Sequence, residues 1–241
     1  MATTKKAEVF EINRIKYVDL PLRIIGDTPL IMHAWSAKAK REMLEKQIGA
    51  TKTTAREKKN PIEDFVSSMY WLTPMPEEMT YEAVSEVIGN AEFGFPVTAF
   101  KQAAISAVYR MGWTKDKMSM RGAFFTSANA DGYFSGDLAI DHESNKVTII
   151  PNQFRPEQLI RIHSDVPQMR EDMVRVGMGT ADIRYRGEFN NWYADIVVRY
   201  NENGQYTPEQ IVNIINAGGS VCGVGEWRPE KDGQYGMYHV G

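Results

Sequence analysis

The sequence predicts an α+β fold with a β-α-β-β-α-β core interrupted by long insertions, and three observations predict it. An alternating, β-branched run, Tyr193-Ala-Asp-Ile-Val-Val-Arg-Tyr200, leads through the turn residues Asn201-Glu-Asn-Gly204 into an apolar helix. Farther back, Phe100, Ala103, Ala104, Ala107 and Val108 recur at intervals of three and four, the stripe of a helix that lies close on a sheet through its small residues. At the end of the sequence, glycines at 218, 219, 223, 225, 233 and 236 mark a long glycine-rich stretch after the second helix.

Taken in order, Met1 to Ala7 is polar and expected to fray. Val9, Phe10, Ile12, Ile15, Tyr17 and Val18 fall at strand-like spacing, and Leu20-Pro-Leu-Arg-Ile-Ile25 continues the pattern. Gly26-Asp-Thr-Pro29 reads as a turn or bulge before Leu30-Ile-Met32. Trp35 to Ile48 favours helix, with Trp35, Met43, Leu44 and Ile48 as its apolar contacts, and Gly49 to Lys59 reads as a mobile basic loop. Pro61 opens a helix-like segment that Thr73-Pro-Met-Pro76 breaks, and Thr80 caps a shorter one from Tyr81 to Ile88. The helix near 97–111 comes next. Val147 to Ile150, Met169 to Val176 and Asp182 to Phe189 read as strands, and Phe189-Asn-Asn-Trp192 is expected to fold the last of these into a hairpin with Tyr193 to Tyr200. The second helix has Thr207 as N-cap, Pro208 at the first position, Gln210 in capping-box position and Ile211, Ile214 and Ile215 on one face, with Gly218 or Gly219 ending it. Ser220-Val-Cys-Gly-Val224 is strand-like. Assembled, this is a ferredoxin-like (RRM-like) order, with the paired strands between 170 and 200 as its second and third, and insertions at about 34–95 and 112–168.

The insertions carry most of the charge contrast. Between Ala34 and Asn60 the bases Lys38, Lys40, Arg41, Lys46, Lys52, Arg56, Lys58 and Lys59 outnumber Glu42, Glu45 and Glu57, whereas Pro61 to Pro96 holds acids and no base. Such blocks form opposed faces of one molecule or complementary patches between neighbouring copies, or are merely solvated helix surface. In the second insertion, Trp113, Lys115, Lys117, Met118, Met120, Arg121, Phe124, Phe125, Tyr133 and Phe134 interleave bases, methionines and rings. Bases meet phosphates and rings stack on unpaired nucleobases, so the segment suits single-stranded nucleic acid; an inserted hairpin whose rings simply pack is the other reading.

Gly-Val-Gly-Glu-Trp-Arg-Pro-Glu-Lys-Asp-Gly-Gln-Tyr-Gly (223–236) after the second helix, and Phe95-Pro-Val-Thr-Ala-Phe-Lys101 at the entry to the first, resemble the RAMP superfamily, the repeat-associated proteins that form the RNA-binding backbone of CRISPR effector complexes. The resemblance implies one RAMP-like domain over residues 1–241 that binds single-stranded nucleic acid, RNA rather than DNA, without cutting it, as a homo-oligomer or with CRISPR-type or host defence proteins. The residues that would carry it are Lys38, Lys40, Arg41, Arg56, Lys58 and Lys59 for phosphate, Arg121 and Phe124 in the second insertion, and Trp227 and Arg228 in the glycine-rich stretch. Glu226 beside Trp227 departs from the more basic loop usual in the family. A phage structural or decoy protein built on the same fold is a rival reading. A ribonuclease is another: some members of the family cut RNA near the first strand, where Asp27 and His33 lie.

Composition bounds these readings. With 43% hydrophobic and 24% charged residues over 241 positions the chain can bury a core, and its net charge of −3 is not that of a strong duplex binder. No long apolar run or signal-peptide pattern occurs, so the expectation is a cytoplasmic protein, in the host cytoplasm if phage-encoded, with no membrane contact. The single Cys222 excludes an intrachain disulfide and a cysteine-built zinc site and suits a buried thiol. His33, His142, His163 and His239 lack the spacing that puts two metal ligands on one helix face, and no nucleotide-binding or nucleophile-elbow motif occurs. No cofactor or metal is expected, and no catalytic role is assigned beyond the candidates Asp27 and His33.

Overall fold

The structure, a computed structural model, describes residues 14–35, 37–49, 59–128, 137–141, 146–150, 159–176 and 179–241. Its elements mix helix and sheet throughout, an α+β architecture. The chain begins with β1 (Tyr17–Gly26), the short β2 (Leu30–Ile31) and helix α1 (Ala37–Gln47). Helix α2 (Pro61–Ser67) starts where Asn60 caps the amides of Ile62 and Glu63 and Pro61 occupies the first helical position. Strand β3 (Tyr70–Trp71), helix α3 (Tyr81–Ile88), capped by Thr80, and strand β4 (Phe93–Pro96) follow. Helix α4 (Thr98–Arg110), the short α5 (Lys117–Arg121) and strands β5 (Phe124–Ser127), β6 (Asp137–Asp141), β7 (Lys146–Ile150) and β8 (Leu159–Ile162) come after β4. Then come β9 (Gln168–Val176), β10 (Thr180–Phe189), β11 (Tyr193–Asn201), helix α6 (Pro208–Ala217) and β12 (Tyr238–Val240).

A four-stranded antiparallel sheet, in the order β12-β1-β11-β5, organises the molecule. Alternation along its strands sorts the two faces. Val18, Leu20, Leu22 and Ile24 of β1 register with Tyr200, Val198, Ile196 and Ala194 of β11 and join the hydrophobic core. The intervening residues turn the other way and carry the ion pairs Arg23–Asp195 and Arg199–Asp19. Pro21 is tolerated inside β1 for a geometric reason. Gly26 bonds to β11 and Gly241 bonds to the Arg23 carbonyl, so odd-numbered residues of β1 present their backbone to the β12 side, and β12 reaches only Ile24 to Gly26.

The core side of the sheet is covered by α4 and α6. Phe100 of α4 is fully buried, edge-on to Phe95 and Tyr238 and 6.4 Å from Trp192 between ring centres. Ala103, Ala104 and Ala107 keep the adjoining surface of α4 shallow. A Cβ on Gly218 would lie 2.8 Å from the Ala104 nitrogen, so the close approach needs glycine on one side and alanine on the other. Among the described residues no helix is long and apolar enough to cross a membrane.

Three expectations are corrected. Gly187, Phe189 and their neighbours in β10 do not form a hairpin with β11; β10 pairs with β9 and β2 in a separate sheet, while β11 pairs with β1 and β5. Asn190, Asn191 (φ 50°) and the buried Trp192 carry the chain from one sheet to the other. The strand neighbouring β11 on its outer side is therefore 124–127, inside the segment read as the second insertion. Ser220 to Val224 is not a strand: α6 continues as a π turn over Gly218–Cys222 and ends at Gly223 (φ 65°). Finally, Trp35, Met43, Leu44 and Ile48 are exposed, Ile48 at 69%, rather than packed.

Candidate nucleic-acid interface

The strand directions bring the two motifs of the sequence to one rim. Because β12 runs antiparallel to β1, the end of β1 and the start of β12 lie side by side, and the 223–237 segment is tied to residues 27–31 by backbone hydrogen bonds. Asp27 N–H donates to the Met237 carbonyl at 2.9 Å, Gly236 N–H to Pro29 at 2.9 Å and Glu226 N–H to Ile31 at 2.9 Å. Between this segment and the start of α4 opens a cleft of about 310 Å³ lined by His33, Thr98, Gln102 and Arg228 and by two carboxylates, Glu226 and Glu230, each paired with an arginine. No side chain caps the first turn of α4, and that turn holds no acid. The first amides of a helix lack intrahelical acceptors and carry the positive end of its dipole, so the cleft offers anion-seeking donors.

Ion pairs fix the side chains around it. Arg228 donates to the Gly225 carbonyl at 2.8 Å and grips Glu230 at 3.2 Å, and Arg110 approaches the other oxygen of Glu230 at 3.4 Å. Arg186, 6% exposed, contacts Asp172 at 3.0 Å and Glu226 at 3.6 Å, so the acid that stands beside Trp227 faces a cation. Arg186 Nε also lies 3.5 Å from His33 Nδ1, which accepts. Burial, with the Arg186 guanidinium second, pushes the His33 pKa below its ordinary value and favours neutral imidazole. Arg170 closes the lattice, donating to Asp172 at 2.7 Å and Glu188 at 2.8 Å, with its guanidinium 4.5 Å from the centre of the Tyr235 ring. Burial alone would raise the Asp172 pKa, but hydrogen bonds from Arg170, Trp227 and Arg186 outweigh it and hold the carboxyl below the usual range.

The residues singled out from sequence are distributed unevenly around this rim. Trp227 and Arg228 lie on it, Trp227 36% exposed and Arg228 half-buried. Lys40 is exposed on α1; Lys38 and Arg41 belong to the same helix but their side chains are not among those described, and Arg56 and Lys58 lie outside the described residues. Lys59 is engaged by Asp182 at 2.9 Å, by Asp64 at 3.7 Å and by the Ile183 carbonyl, which ties it to β10. Arg121 is exposed and donates to the Met118 sulfur at 3.0 Å. Phe124 is a correction: its ring is fully buried in the core, where a strand residue facing the helices must go, so it cannot stack on a base at the surface. Asp27 and His33 do not meet. Asp27 pairs with His239 at 2.6 Å, whereas His33 faces Arg186. Among the described residues no group of three or more His, Cys, Asp or Glu is placed to hold a metal.

The glycines divide in role. Gly218, Gly219, Gly223 and Gly236 are buried, and added Cβ atoms there would run into Ala104, Tyr238, Pro229 and Val224. They serve close packing inside the protein rather than contact with another molecule. Sequence reasoning missed Arg170, Asp172 and Arg186. The available signal was the spacing of Arg170 with Asp172 and of Arg186 with Glu188, since residues two apart share a strand face. A larger cleft, about 860 Å³, runs along α6 between Trp113 and His239. It has no Lys or Arg in its lining and does not suit a phosphate chain.

No protein-family model matches the chain, and no curated protein matches it. Among solved structures, the chain is similar to one in the cryo-EM structure of the Type III-B Cmr-beta bound to cognate target RNA, with a TM-score of 0.40 and 10% sequence identity over 94% of this chain. It spans 59% of the length of that chain.

Proposed function

We propose that this protein is a RAMP-type domain with a ferredoxin-like (RRM-like) core that binds single-stranded nucleic acid, RNA in preference to DNA, and does not cut it. The observation that carries the reading is the juxtaposition of the uncapped start of α4 with Arg228 across one cleft. A backbone phosphate in that cleft meets helix amides on one side and a guanidinium on the other, and both are fixed before binding. Thr98 and Gln102 line the same cleft with uncharged donors and acceptors, which suit a ribose 2′-hydroxyl. Oligomerisation belongs to the same proposal, because the exposed Trp35, Met43, Leu44 and Ile48 leave apolar surface on and beside α1 for a second copy to cover.

The test is fluorescence anisotropy of a labelled single-stranded RNA against the purified full chain, with salt varied from about 50 to 200 mM. Affinity should fall steeply with salt, and Arg228→Ala should weaken binding for all sequences alike and reduce the salt slope by roughly 0.7 to 1, the share of one phosphate contact. Absence of binding at the low-salt end would remove the proposal, as would release of cleaved RNA.

A further inference from the structure

We infer that Trp227 is a stacking platform for one unpaired nucleobase, and that the buried carboxylate of Asp172 is the positioning residue that holds it; the inference rests on the nucleic-acid reading above. Trp227 has a left-handed backbone (φ 52°), which a bulky side chain adopts only where its surroundings impose it. Here they do: Tyr235 N–H donates to the Trp227 carbonyl at 2.9 Å, Gly233 N–H to the Arg228 carbonyl at 3.1 Å, and a Cβ on Gly233 would strike the Trp227 carbonyl. The turn thereby carries the indole outward while the carboxylate of Asp172, 6% exposed, lies against its side chain. Asp172 is itself immobilised from two sides, by Arg170 at 2.7 Å and Arg186 at 3.0 Å. Arg170 in turn lies over the Tyr235 ring. One lattice of charges therefore backs the loop, with Arg170 over the face of Tyr235 and Asp172 at the Trp227 side chain, and leaves Trp227 36% exposed with Arg228 next to it in the chain.

An exposed aromatic side chain whose backbone is fixed by its own turn, with an arginine next in the chain, has the chemistry that takes an unstacked base followed by its phosphate. Glu226, the acid beside Trp227 in the chain, is turned to Arg186 rather than presented to a base edge. Stacking without edge readout is indifferent to base identity, because every base has a π face.

The experiment compares a single-stranded RNA with an abasic chain of the same length, which keeps phosphates and loses bases, against the full-length protein and its Trp227→Ala and Trp227→Phe variants. Trp227→Ala should bind the base-containing RNA roughly five- to hundredfold more weakly while its affinity for the abasic chain stays unchanged, and Trp227→Phe should retain most of the difference. Quenching of the wild-type tryptophan emission should saturate with RNA and not with the abasic chain, and the quench should be lost in Trp227→Phe. For the positioning role, Asp172→Asn should raise acrylamide access to Trp227 in the free protein and lower affinity for RNA but not for the abasic chain. Should that variant not fold, Tyr235→Ala, which removes the half-buried ring under Arg170, gives the same readout. Equal binding of both chains that Trp227→Ala leaves unaltered overturns this inference alone; no binding of either chain overturns the proposed function and the inference with it.

Discussion

Replacing Gly219 by alanine tests whether the terminal glycines serve the protein's own packing. A Cβ there would fall on the Tyr238 carbonyl oxygen and lie 2.7 Å from both its carbon and the Tyr238 ring. The obstacle is backbone, so the π turn and β12 must separate by about an ångström, as overpacked cores do at a cost of roughly 1–3 kcal/mol. The upper end applies, because β12 pairs with β1 through only Tyr238, His239 and Val240, and Tyr238 is wedged against Phe100 in the core. At about 2–4 °C per kcal/mol for a chain of this size, the melting temperature should fall by roughly 6–12 °C. Gly89→Ala is the control, since its backbone is helical (φ −68°) and nothing lies within 4 Å of the added atom; it should be neutral or stabilise by up to about 1 kcal/mol. Thermal melts monitored by circular dichroism read both variants. A Gly219→Ala protein that melts with the wild type would show that the turn has room, and the packing role of the glycines would be wrong.

The same contacts set four further outcomes. Arg186→Ala should destabilise by about 3 kcal/mol in urea titrations, at the low end for a broken buried pair because Arg170 still faces Asp172, and adding Asp172→Asn should recover part of the loss. His33 is held below its ordinary pKa, so as pH falls below roughly 6.5 the unfolded chain takes up the proton before the folded one and stability drops; His33→Gln should flatten that limb of a pH-stability curve. Asp172 has the opposite sense of charge and its depressed pKa adds stability present above about pH 3.9, lost as the pH falls through its folded value, so Asp172→Asn should flatten the acid limb. Thr207→Ala removes the capping box of α6 and should cost about 1 kcal/mol, measurable by the same urea titration.

What the sequence disclosed was local. Thr207 with Gln210, Thr80 ahead of α3 and the alanine stripe of α4 are each decided within a few residues by caps and periodicity, and the structure has all three. What it concealed was partnership. Phe124 and Phe125 are both apolar, so alternation could not say that 124–127 would pair with β11 and bury one ring while half-covering the other. The Asn190-Asn191 turn has the residues of a hairpin, yet the buried Phe189 and Trp192 on either side send the chain into different sheets. The glycines announced freedom of backbone without saying whose atoms would come near, and the answer is Tyr238, Ala104 and Val224. The candidate interface was half legible for the same reason: Trp227 and Arg228 stand out by type, whereas Asp172 and Arg186 come to the loop only when β9 and β10 pack against it.

The rigidity of that loop decides how the cleft can work. A glycine-rich segment free in solution would lose backbone entropy of roughly 1–2 kcal/mol per residue when a strand of nucleic acid ordered it, enough to cancel the few contacts it makes. Here the ordering is complete beforehand. Glu226 and Gly236 are hydrogen-bonded to the residues after β1, Gly233 and Tyr235 close the turn upon Arg228 and Trp227, and the Asp172 lattice secures the side chains from beneath. Under the proposed function, a phosphate that reached the start of α4 would meet donors already in place, so a cation and a ring in this loop would contribute nearly their full interaction. The proposed binding therefore asks for few basic residues on such a rim, which is compatible with a net charge of −3.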